Sequence, residues 1–99
     1  PNETVAGVPL ITIAVNSLHR EATKLLIANG ADVNAKNERQ ETPLYRAVIR
    51  ENHDLVKLLL AAKADPNAVN RIENETALDH AIEDNDQVTI KLLLKYGAI

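Results

Sequence analysis

The chain has 99 residues, a formal net charge of −3, and no cysteine, methionine, tryptophan or phenylalanine. That length holds one small domain, the missing cysteine excludes disulfides and thiolate metal sites, and the acidic balance argues against phosphate-backbone binding, which needs a basic face. No apolar run approaches the roughly 20 residues that span a bilayer, and no signal-like segment opens the chain, so Leu, Ile, Val and Ala must supply the core of a globular fold.

Three stretches repeat in register. Ala14-Val15 to Leu25-Leu26-Ile27 and Gly30-Ala31-Asp32-Val33-Asn34 is followed by Ala47-Val48 to Leu58-Leu59-Leu60 and Ala64-Asp65-Pro66-Asn67, then by Ala81-Ile82 to Leu92-Leu93-Leu94 and Gly97-Ala98. The step is 33 residues from Ala14 to Ala47 and 34 from Ala47 to Ala81. A fixed period of this size marks a stacked repeat. The copies cover about 4–36, 37–69 and 70–99 of a single domain 1–99. Ile11 aligns with Leu44, Lys24 with Lys57, Leu26 with Leu59 and Asn34 with Asn67. One residue is added between Asn67 and Thr76, where it lengthens a loop tip at small cost.

In the first copy Pro9-Leu10 opens the first helix, which is expected to begin one residue early. In the second, Thr42 caps a helix with Pro43 at its first position. In the third, Thr76 and Asp79 form a capping-box pair. A helix of about nine residues follows each start. Polar breaks, Glu51-Asn52-His53 and Asn85-Asp86-Gln87, precede a second helix. Its middle copy carries Leu55, Val56, Leu58, Leu59 and Leu60, apolar on several sides, so both flanking repeats are needed to bury it. Leu25, Leu59 and Leu93 are expected to line up from one copy to the next. Gly30 and Gly97 end second helices in left-handed geometry. Lys63 stands in the same slot. The segments Ala31 to Glu41 and Ala64 to Glu75 read as turns.

Thr42-Pro43-Leu44-Tyr45-Arg46-Ala47 resembles the ankyrin signature Thr-Pro-Leu-His-x-Ala, and Gly30-Ala31-Asp32-Val33-Asn34-Ala35 resembles its closing phrase. The resemblance covers about residues 8 to 99. It implies an all-α solenoid of stacked antiparallel helix pairs with projecting β-hairpin-like loops, no enzyme activity and no cofactor. It also implies an intracellular, cytoplasmic location. Thr12, Tyr45 and Asp79 occupy the family's His slot, whose role is to tie neighbouring loops. Leu18 and Glu51 occupy its mid-repeat Gly slot. In this family the asparagine of Asp-Val-Asn-Ala is a target of an asparaginyl hydroxylase. Asn34 matches that context and Asn67 less so, while hydrogen bonding within the loop is the plainer role for both.

No catalytic constellation emerges. His19, His53 and His80 fall in different slots, and their spacing pairs none with a second ligand for zinc. Ser17 is the only serine and no motif gives it a base. Side chains that vary between copies are free of packing duty and open to a partner. By the family resemblance, contact uses the loop tips and the exposed side of the first helices, a concave groove. The residues expected to bind a partner protein or peptide there are Arg39, Tyr45, Arg46, Ile49, Arg50, Arg71, Ile72, Asp79, His80 and Glu83. Tyr and Arg dominate interface hot spots. A plain surface pairing of Arg50 with Glu83 or Asp84 competes with that reading.

The expected function is non-enzymatic protein–protein interaction, without nucleic acid or membrane insertion. The alternative is a structural or regulatory segment of a larger enzyme or effector, making intramolecular contacts. The third copy keeps Ile90, Leu92, Leu93, Leu94 and Tyr96, although a terminal repeat normally turns a polar face outward. Together with the opening Pro1, this points to a piece of something longer, with further repeats or a capping element beyond Ile99.

Overall fold

A computed structural model describes residues 4–5 and 8–99. Its elements, in chain order, are β1 (Thr4–Val5), β2 (Val8–Pro9), α1 (Leu10–Asn16), α2 (Arg20–Ala28), α3 (Pro43–Ile49), α4 (His53–Ala61), β3 (Val69–Asn70), β4 (Glu75–Thr76), α5 (Ala77–Glu83) and α6 (Gln87–Lys95). They form three helix pairs: α1 with α2, α3 with α4, α5 with α6. The first helices stack in one row, α1 on α3 and α3 on α5; the second helices stack in the other, α2 on α4 and α4 on α6. Two short antiparallel ladders, β1 with β2 and β3 with β4, precede α1 and α5.

Local chemistry explains the boundaries. The Thr42 hydroxyl accepts from the Tyr45 amide at 3.2 Å, with Pro43 at the first helical position. Thr76 and Asp79 close a full capping box. The first helices are seven residues long, not nine. Left-handed residues stop each of them early: Leu18 (φ 58°), Glu51 (φ 54°) and Asn85 (φ 54°). The first helix of copy one begins at Leu10, the register equivalent of Pro43, so it does not start early. Pro9 takes the cap position without a capping side chain.

Each second helix ends in the same backbone device. Gly30, Lys63 and Gly97 are left-handed at φ 90°, 73° and 101°. The amides after them, at Ala31, Ala64 and Ala98, reach back to the carbonyls of Leu26, Leu59 and Leu93. This is the 6→1 bond of a Schellman motif, which satisfies carbonyls otherwise left bare at a helix end.

The core runs through all three pairs. Leu55, Val56, Leu59 and Leu60 of α4 are buried, as is Leu93 of α6. Leu25 breaks the expected line, being 64% exposed. The 33-residue step from Leu59 arrives at Leu26, which packs against the core, and the preceding residue lies about 100° further round the helix, toward solvent. The buried hydroxyls of Thr23 and Thr89 are satisfied by His19 O and Asp86 Oδ2. That of Thr12, also buried, has no hydrogen-bond partner among the described residues.

Hydrogen bonds tie the loops between repeats. Asn34 Oδ1 accepts from the Asp65 amide at 2.8 Å, and Asn67 Oδ1 accepts from the Ile99 amide at 3.0 Å. The two asparagines therefore join neighbouring repeats, beyond the bonding within one loop that the sequence suggested. The added residue falls at the hairpin tip. Asn37 and Asn70 are equivalent and each accepts two backbone amides across its turn, and left-handed Gln40 and Asn74 close the two tips one residue out of step.

Candidate interaction face

The expected contact residues lie on the first helices and the hairpin tips, and they do not share one role. Arg39, Arg50, Arg71, Ile72, Asp79 and Glu83 are exposed, while Arg46, Ile49 and His80 are half-buried. Tyr45 is buried, 5% exposed, and its hydroxyl donates to Glu75 Oε1 at 2.5 Å. It thus does what the family's His slot implies and ties its repeat to the next hairpin. Arg46 is similarly occupied. Its Nε donates to Asn16 Oδ1 at 2.7 Å and its Nη1 lies 3.5 Å from Glu41 Oε2.

An acid-and-partner device recurs here that the sequence reading passed over. Glu41 and Glu75 are register equivalents, each immediately before a capping threonine. Glu41 pairs with Arg46, and Glu75 with His80, whose Nδ1 is 3.2 Å from Glu75 Oε1. Arg46 and His80 are themselves equivalent, so the recurrence was readable as an i, i+5 pair. Tyr45 and His80 also meet edge-on, with ring centroids 5.9 Å apart.

The expected pairing of Arg50 with an acid of α5 does not form. Asp84 Oδ2 turns to His80 Nε2 at 3.1 Å, and Glu83 lies beside Glu75. A hydrogen bond with Glu75, and then the charge of that carboxylate, raise the Glu83 carboxyl above the ordinary carboxylate value. The Tyr45 hydroxyl, donating to Glu75, is the chief cause that holds Glu75 below it. Burial, and then the facing Glu75 carboxylate, push the Tyr45 phenol well above the ordinary tyrosine value.

The spacing argument that gave no histidine a second ligand is corrected by the fold. One ligand atom each from Glu75, His80 and Glu83 lies within 4.8 Å of the others. The Tyr45 hydroxyl and the His80 ring already use Glu75, so Tyr45, Glu75 and His80 form one hydrogen-bonded network. His53 also meets a carboxylate, with Nε2 3.1 Å from both oxygens of Asp86 across the repeat boundary.

Three open grooves lie on or beside this face. One runs between the hairpin tips, past Arg39, Glu41, Asn70, Ile72 and Glu73. A second follows α5, with Ile82 among Glu75, Asp79 and Glu83. A third reaches from Leu18 across Arg50 to His53. All three are lined mainly by polar and charged side chains.

Two rows of stacked short helices with hairpins at one edge define a helical repeat solenoid. A profile of ankyrin repeats in three copies matches residues 9–99, and the chain belongs to the ankyrin-repeat family. It is 36% identical over 92 residues to FPV014 of Fowlpox virus (strain NVSL), a protein named for its ankyrin repeats, covering 93% of this chain and 21% of that protein. It is 37% identical over 79 residues to FPV223 of the same virus, likewise named, covering 80% of this chain and 54% of that one. The chain thus spans less than two thirds of both relatives. The crystal structure of the ankyrin repeat domain of Bcl-3, a member of the IkappaB protein family, superposes with a TM-score of 0.89 at 29% identity. That match covers 95% of this chain and 41% of that one. Ankyrin repeats are generally protein–protein interaction modules. Among the described residues no helix is long and apolar enough to cross a membrane.

Proposed function

We propose that this chain binds a partner protein or peptide through its first-helix row and hairpin tips, the concave side of the solenoid, without catalysing a reaction on it. The observation that carries this reading is the division of labour among the varying residues. Tyr45 and Arg46 are spent on joining repeats, whereas Ile72 is exposed and the exposed Arg39, Arg50 and Arg71 take part in no ion pair among the described residues. Ile72 at a hairpin tip is 62% exposed, and apolar and arginine side chains together supply interface energy. The acidic α5 edge beside a basic middle repeat favours a partner of alternating charge, since complementary potentials set register and approach rate.

The test is affinity capture with wild-type chain beside the triple variant Arg39→Ala, Arg50→Ala, Ile72→Ala, and a control variant at Lys24, Lys57 and Lys91 on the second-helix row. The reading predicts that the triple variant loses the captured partner while its circular dichroism melt is unchanged, and that the control retains it. Retention by the triple variant with loss by the control would move the site to the other face. Retention by both, together with lost activity of the parent protein, would favour a segment whose contacts are intramolecular.

A further inference from the structure

Equivalent positions in the three copies separate what the repeat needs from what one copy adds. The position before the first-helix cap holds Val8, Glu41 and Glu75 in turn. On the first helix, Ile13, Arg46 and His80 are equivalent, as are Asn16, Ile49 and Glu83, and Ser17, Arg50 and Asp84. All three copies build the helix pair, so the fold itself asks for no histidine or acid at these positions. Only the third copy carries a metal-ligating residue type at every one of them. The change also removes the counter-charge. In the second copy Glu41 faces Arg46, whereas among the described residues no lysine or arginine pairs with Glu75, Glu83 or Asp84.

We infer that Glu75, His80 and Glu83 form a binding site for a divalent transition-metal ion of the zinc type. One imidazole and two carboxylates are a donor set that suits zinc, and the two negative charges balance a dication. His80 and Glu83, three residues apart, share one face of α5, and Glu75 reaches them from β4. Zinc bonds of about 2.0–2.2 Å in a tetrahedron put ligand atoms about 3.4 Å apart. His80 Nδ1 and Glu75 Oε1 are already 3.2 Å apart. All three ligand atoms lie within 4.8 Å, so the exposed Glu83 side chain must close at most about 1.4 Å. The outer partners a metal-bound histidine and carboxylate need are in place as well. His80 Nε2 lies 3.1 Å from Asp84 Oδ2, so a proton held there leaves the Nδ1 lone pair turned toward Glu75. The Tyr45 hydroxyl donates to Glu75 Oε1 and orients that carboxylate from the neighbouring repeat. The groove along α5, lined by Glu75 and Glu83, opens the site to solvent, which supplies both the ion and its fourth ligand, a water. A bound ion would tie the β3–β4 hairpin to α5.

The test is isothermal titration calorimetry of the untagged chain with zinc chloride, beside His80→Ala, Glu83→Gln and the control His53→Gln. The inference predicts one zinc ion per chain for wild type and the control, and loss of that binding in the other two. Glu83 is exposed, so its substitution leaves the fold intact and decides the matter even where His80→Ala unfolds. Asp84→Asn should weaken binding about tenfold through the histidine it orients. Cobalt(II) in place of zinc reports the ligand set directly. Its visible spectrum should appear with wild type, shift with Asp84→Asn and vanish with Glu83→Gln. Magnesium and calcium, which prefer sites built wholly of oxygen, should not displace the zinc. No binding, or binding that survives Glu83→Gln, overturns the inference. So does binding that His53→Gln removes, or zinc displaced by magnesium, the mark of a diffuse attraction to the acidic edge. The variants used for partner capture leave all three ligands in place, so the two proposals fail separately.

Discussion

Replacing Lys63 with glycine should make the protein more stable, although it removes an entire side chain. Lys63 is the one non-glycine among the three residues that end the second helices, and it is held at φ 73°. Left-handed backbone costs an L-residue roughly 1–2 kcal/mol, because Cβ crowds the carbonyl oxygen. Glycine escapes that penalty but has more freedom to lose on folding, an opposing effect of about 0.4–1 kcal/mol. Lys63 is exposed and its side chain makes no hydrogen bond or ion pair among the described residues, so little else is lost. The bonds that define the turn come from backbone: Lys63 N to Leu60 O at 3.1 Å and Ala64 N to Leu59 O at 3.0 Å. Both survive the change. The net gain is then about 0.5–1 kcal/mol, which for a domain this size is roughly 3–6 °C in melting temperature. Urea melts followed by circular dichroism should show a higher midpoint with an unchanged slope, and Gly30→Lys should move it the opposite way. An unchanged or lower midpoint for Lys63→Gly would refute the reasoning about strain at this turn.

The buried, unpartnered hydroxyl of Thr12 leads to a second expectation: Thr12→Val, nearly isosteric, should raise stability by about 1 kcal/mol in thermal melts, since an unsatisfied buried polar group is costly. Tyr45→Phe should lower it by about 1–2 kcal/mol, the contribution of a hydrogen bond to a charged acceptor. The raised phenol adds a signature at high pH. A group whose folded pKa lies above its unfolded value stabilises fully below the unfolded value, so wild type should lose stability as pH climbs past about 10, and Tyr45→Phe should lose less over that range. At the acid end, burial would raise the Asp86 carboxyl, but hydrogen bonds from the Thr89 hydroxyl and amide and from His53 outweigh it and hold it below 3.8. Its contribution is therefore present above pH 3.8 and lost as pH falls through the lower folded value. Asp86→Asn should flatten that acid limb in melts taken between about pH 5 and 2.

Periodicity made the architecture readable, because a repeat must satisfy the same packing three times over. The caps at Thr42 and Thr76 and the burial of α4 follow from residue type and register, whereas the left-handed slots at Leu18, Glu51 and Lys63 follow from register and the family's glycine positions, against residue type. Leu25 shows where reading by eye goes astray. In a run of adjacent apolar residues, only the register carried back from Leu59 says which one faces inward, and it says Leu26. The contact face was less legible. Tyr45 and Arg46 looked available because they differ from their counterparts, yet each difference answers to a neighbour in another repeat, Glu75 for one and Asn16 for the other. Pairs thirty residues apart leave no local pattern. The charge network around His80 was hidden for the same reason, since Glu75 reaches it from a hairpin and Asp84 from the next helical turn.

Amide hydrogen exchange on the chain, alone and with the partner recovered by capture, tests the binding face most directly. Added protection should fall on the hairpin tips around Arg39 and Ile72 and on the solvent side of α3 and α5, leaving α2, α4 and α6 as they were. Protection confined to those three outer helices would contradict the proposal that the first-helix row receives the partner.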